Sequence, residues 1–99
     1  MHKQIIWSSK SVSDLENILD YLALEWDDSV SLKFLDLIEE LILQISINPI
    51  QYPVIHKKLN IRKCVITKHN SLFYRNRKGH VEILRIYDTR QDPKKLEIL

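Results

Sequence analysis

Glycine occurs once in these 99 residues, at Gly79. The dinucleotide fingerprint, the phosphate-cradling loop and the nucleophile elbow each need two or more glycines within a few residues, so nucleotide chemistry of those kinds is excluded. Cysteine also occurs once, at Cys64, which rules out an intrachain disulfide and suits a reducing compartment. No run approaches the ~18 apolar residues of a membrane span. The apolar triplet Ile5, Ile6 and Trp7 is too short for a signal peptide. A cytoplasmic protein with no membrane partner is the expectation.

What is present suffices for one core. Hydrophobic residues make up 44% of the chain and charged ones 28%, the balance of a globular domain, and the length fits a single domain over residues 1–99. The net charge of +2 conceals two unlike halves. Residues 1–50 hold 3 basic against 9 acidic residues, a net −6, whereas residues 51–99 hold 12 against 4, a net +8. A basic half of this kind can face phosphate or an acidic protein segment, or be partly neutralised by the acidic half of its own molecule.

Periodicity divides the chain further. Residues 4–8 read as a first strand. Ser13 and Glu16 have capping-box spacing, with Ser11 as a competing cap. Leu15, Ile18, Leu19, Leu22, Ala23 and Trp26 then repeat as one helical stripe, with Asp14, Asp20 and Glu25 off it. Asp27, Asp28 and Ser29 supply a turn and a second cap. Phe34, Leu35, Ile38, Leu41, Ile42 and Ile45 form the next stripe, and Asn48-Pro49 ends it. So short a connection makes residues 11–48 an antiparallel helical hairpin, with Asp36, Glu39 and Glu40 on a solvated face. Beyond Pro53 the period becomes 2. Residues 61–67, 71–77 and 81–87 read as a meander of antiparallel strands, with Gly79 as the positive-φ residue of the second turn. The expected class is α+β, in the order β-α-α-β-β-β, with the hairpin packed on an antiparallel sheet.

Little here suits catalysis. His56, Cys64, His69 and His80 lack the paired spacing of a metal site, so no metal or other cofactor is expected. Ser8, Ser9 and Ser71 have no nucleophile signature, and Cys64 in an apolar strand reads as a core thiol. Asp27-Asp28 and Glu39-Glu40 are explained by a helix start and a solvated surface. The informative cluster is basic and aromatic: Lys57, Lys58, Arg62, Lys63, Tyr74, Arg75, Arg77, Arg85, Tyr87 and Arg90. Strict alternation puts Arg85 and Tyr87 on one face with Val81 and Ile83, and Glu82, Leu84 and Ile86 on the other. A sheet with one face under the hairpin and the other partly apolar offers an open surface, where arginines recognise carboxylate or phosphate.

Several segments together carry a family resemblance. They are Asp14-Leu15 with Ile18 and Tyr21, Asn48-Pro49, Ser71-Leu72-Phe73-Tyr74-Arg75, Val81-Glu82-Ile83-Leu84-Arg85-Ile86 and Arg90-Gln91-Asp92-Pro93. In this order they resemble the RelE/ParE superfamily of toxins from bacterial type II toxin-antitoxin modules. The resemblance implies a growth-arresting toxin neutralised by a cognate antitoxin, whose C-terminal segment wraps it, with a homodimer or a heterotetramer with antitoxin as its assemblies. ParE-like members inhibit DNA gyrase. RelE-like members cleave mRNA on the ribosome without a metal. Arg62 and Arg90 stand where a RelE-like nuclease has a strand lysine and a tail arginine, and Tyr87 is the remaining candidate for its tail tyrosine. Cys64 and Ser71 stand where that nuclease has a further lysine and an arginine. The two long helices and the tail look more like ParE. The expected target is therefore gyrase, with the ribosome and mRNA as the alternative and a nucleic-acid-binding domain outside any toxin pair as a third reading. Arg62, Arg75, Arg85, Tyr87 and Arg90 are the expected partner-binding residues.

Overall fold

Strand β1, Gln4–Trp7, ends one residue before a helix cap. The computed structural model describes residues 2–88 of the chain, so the tail expectations, Arg90 among them, lie outside the described residues. Helix α1 is Ser9–Glu25 and α2 is Asp28–Ile47. The cap of α1 is Ser8, not Ser11 or Ser13. Ser8 has extended backbone, its Oγ accepts from the Ser11 N–H at 3.0 Å, and the same hydroxyl donates to the Leu84 carbonyl at 2.8 Å. Pairing of β1 with the last strand delivers Ser8 to that carbonyl, so a tertiary contact selects a serine ahead of both expected caps. At α2, Asp27 accepts from the Val30 N–H at 3.1 Å, as its place before the second stripe predicts.

The helical stripes pack as expected over most of their length. Phe34, Ile38 and Ile45 are buried against the sheet, and Leu15, Ile18, Leu19 and Leu22 pack around them. Trp26 is the exception. The Asp27 cap begins α2 so soon that α1 stops at Glu25, and Trp26 lies beyond it, 70% exposed. Asp36, Glu39 and Glu40 are exposed.

The sheet has five strands in the order β1-β5-β4-β3-β2. Here β2 is Val54–His56, β3 Ile61–Val65, β4 Asn70–Asn76 and β5 His80–Asp88. The meander β3-β4-β5 is antiparallel, as its short turns require. Strand β1 joins parallel to β5, which makes the sheet mixed, and β2 adds an edge strand too short to show as a periodic run. Gly79 does not have positive φ. Among the described residues the left-handed conformation belongs to Asn60, at φ 55°, and a Cβ at Gly79 would meet nothing within 4 Å.

One irregularity sets the two faces of the sheet. On β5, Ile83 pairs with Tyr74 but Arg85 pairs with Phe73, so Leu84 is an extra residue in a β-bulge. Strict alternation therefore fails at Leu84. Val81, Ile83 and Ile86 all face the helices, while Leu84, Arg85 and Tyr87 turn to the far face.

Candidate interaction surface

Cross-strand partners share a face, so the register builds the far face in rows across β3, β4 and β5. The first row is Ile61, Arg75 and Glu82, the second Lys63, Phe73 and Arg85, the third Val65, Ser71 and Tyr87. Of the expected partner-binding residues, Arg75, Arg85 and Tyr87 come together here. Arg62 does not join them. It pairs with Tyr74 on the helix-facing side, where its Nη1 donates to the carbonyls of Ile50 at 3.1 Å and Tyr52 at 2.6 Å. Both parities of β3 carry an apolar residue, Ile61 on one side and Cys64 on the other, so alternation gave no sign that Lys63 is the basic group on the far face.

The centre of this face is closed. Ile61, Phe73 and Leu84 are only 1, 5 and 5% exposed, with Leu59 and Tyr87 packed against them. The expectation of an open, partly apolar surface fails at that point, because the loop before β3 folds back over its own strand. Arg75 holds that loop: its Nε donates to the Leu59 carbonyl at 3.0 Å, and its Nη1 lies 3.7 Å from Glu82 Oε1.

At the edge of the same face, α1 contributes a residue that the helical stripe left aside. The Asp14 carboxylate accepts from Arg85 Nε at 2.7 Å and Nη2 at 2.9 Å, and its Oδ2 also accepts from the Ile86 N–H at 3.0 Å. Strand β1 pairs with β5 only as far as Ile83. Asp14 satisfies a backbone donor beyond that end and orients Arg85 with a bidentate pair. Its signal in the sequence was an acidic residue beside an apolar stripe, which usually means solvent.

Behind the sheet a second polar group fastens the loop between α2 and β2. The Tyr74 hydroxyl donates to the Pro49 carbonyl at 2.6 Å, beside Tyr52, whose ring meets that of Tyr74 edge-on at 6.5 Å. Burial pushes the Tyr74 hydroxyl up to about 12, opposed by the Arg62 charge, and burial raises the Cys64 thiol as well. Cys64 is a fully buried core thiol, as expected. Among the described residues no three His, Cys, Asp or Glu side chains are grouped to hold a metal. His56 instead accepts the Leu59 N–H at 3.1 Å.

The profile of the family described as "ParE toxin of type II toxin-antitoxin system, parDE" matches residues 5–93. The chain belongs to this family. The ParE-family fold has solved counterparts. A structure described as the chromosomal ParDE TA system from P. aeruginosa superposes with a TM-score of 0.75 at 20% identity, covering 88% of this chain and 96% of that one. The YoeB/ParE toxin from Agrobacterium tumefaciens gives a TM-score of 0.62 at 16% identity, covering 86% and 96%. No curated protein sequence matches the chain significantly. In this ParE-family toxin Cys64 and Ser71 are 0 and 4% exposed.

Proposed function

We propose that this ParE-family toxin acts in the cytoplasm by binding DNA gyrase, and that a cognate antitoxin, anchored on the far face of the sheet, neutralises it by obstructing the approach of the target. The observation that carries the choice of target is the state of the basic groups. A metal-free RNase needs several cationic and acid-base groups converging on one phosphate, each worth about 10² or more in rate. Here Arg62 is turned to the loop carbonyls, and Arg75 and Arg85 are engaged by Glu82 and Asp14. Two further positions hold the buried Cys64 and Ser71. Such a surface suits recognition better than cleavage.

For the antitoxin, the rim formed by Lys63, Arg75, Arg85 and Tyr87, with the exposed Val65 on the same face, suits an amphipathic segment bearing carboxylates. The deciding experiment assays the purified chain side by side on gyrase supercoiling and on translating ribosomes. Inhibited supercoiling with intact message is the expected result. Codon-position cleavage of ribosome-bound mRNA, with supercoiling unaffected at the same concentration, replaces this reading with the RelE-type nuclease.

A further inference from the structure

The turn between α1 and α2 carries apolar side chains that the fold leaves in water. Leu24 is 85% exposed, Trp26 70% and Leu32 62%. Leu24 lies about half a helical turn away from the Leu15, Ile18, Leu19 and Leu22 stripe, so no adjustment of the hairpin against the sheet would bury it. The Ser31 hydroxyl donates to the Leu19 carbonyl at 3.0 Å, which fixes the start of α2 against the end of α1 and gathers these side chains at one end of the hairpin. Exposed Asp20, Glu25, Asp27 and Asp28 lie in the same stretch, residues 20–33, against the single basic Lys33. Apolar groups this exposed are common singly; a tryptophan and two leucines together at an acidic tip are the composition of a contact surface.

We propose that this tip, and not the basic far face, is the surface that engages the target, and that it docks on a cationic, partly apolar surface of DNA gyrase. The inference rests on the gyrase reading above. Charge selects the occupant. A DNA-binding enzyme presents basic surface to phosphate, and an acidic tip with an apolar centre complements it. The carboxylate-bearing antitoxin suited to the far face is repelled here. A second copy tip to tip would set four carboxylates against four, which disfavours a symmetric dimer through the same patch. The molecule thus presents opposite charge to two different partners from two separate regions.

The test uses the intact chain and gyrase holoenzyme. The triple variant Leu24→Ser, Trp26→Ser, Leu32→Ser changes only exposed side chains, and circular dichroism melting checks that it folds. It is expected to need at least tenfold more protein for half-inhibition of supercoiling, with an unchanged sedimentation coefficient. The charge variant Asp20→Lys, Glu25→Lys is expected to weaken inhibition most at low salt. As a control, Leu43→Ser with Ile47→Ser, also exposed but at the other end of α2, is expected to inhibit like the wild type. Wild-type inhibition by the triple variant overturns the proposal, as does a change in oligomeric state that accounts for its loss. A wild-type chain without effect on supercoiling overturns the gyrase reading itself, and the tip proposal with it.

Discussion

Asp14 shows how much one side chain can decide. It closes the edge of β5 beyond β1 through three hydrogen bonds, two of them to a guanidinium, with both partners mostly shielded from solvent. Asp14→Asn removes the carboxylate charge from the bidentate pair with Arg85 and weakens the Ile86 contact, so the expected loss is about 2–3 kcal/mol in urea unfolding. In a cycle with Arg85→Gln the two losses should be less than additive, because both substitutions remove the same Asp14–Arg85 interaction. Tyr74 sets a different test. Tyr74→Phe leaves the Pro49 carbonyl without its donor and should cost about 1 kcal/mol. Because burial raises its folded value above the ordinary 10.0, the neutral hydroxyl is the form the fold favours. Its stabilisation is complete below pH 10 and declines as pH rises toward about 12. Stability measured across that window should fall less steeply in Tyr74→Phe than in the wild type.

At the scale of elements, boundaries follow contacts that a linear pattern does not contain. The expected capping box at Ser13 and Glu16 had the right spacing, yet Ser8 caps α1 because it also reaches the Leu84 carbonyl. Ser8→Ala removes both bonds and is expected to cost about 1–2 kcal/mol, whereas Ser13→Ala, exposed inside the helix, should be close to neutral. Paired urea titrations distinguish the two. The bulge at Leu84 belongs to the same class of feature. One inserted residue reversed the parity of half a strand, separating Val81 and Ile83 from the face of Arg85 and Tyr87. Helix stripes tolerated the reading better, since α2 needs only a broad apolar face and found it in Phe34, Ile38 and Ile45.

Across the whole molecule, the charge division between residues 1–50 and 51–99 becomes a division of surface. The exposed carboxylates of the hairpin stand apart from the basic rim of the far face. Lys63, paired across β4 from Phe73 and partly exposed, lies on that rim. Lys63→Glu is expected to weaken antitoxin binding about tenfold by placing like charge against the carboxylates of the partner. Titration calorimetry at two salt concentrations checks this, and the wild-type complex should be the more weakened of the two by added salt. Equal affinity of variant and wild type would remove the far face from the antitoxin contact.

The sequence by itself determined the α+β class, the existence of the helical hairpin though not its first residues, the antiparallel meander and the family, because each rests on periodicity, short connections or the order of local segments. It also marked Cys64 as a core thiol. Only the tertiary structure decided that β1 lies parallel to β5, that Arg62 turns away from Arg75 and Arg85, that Asp14 reaches into the sheet, and that Trp26 stands in water. The physical reason is common to all four. A side chain's face depends on strand register and on where an element stops. Here both were set by partners far along the chain, Leu84 for Ser8 and Phe73 for Arg85, with energies that no local spacing records.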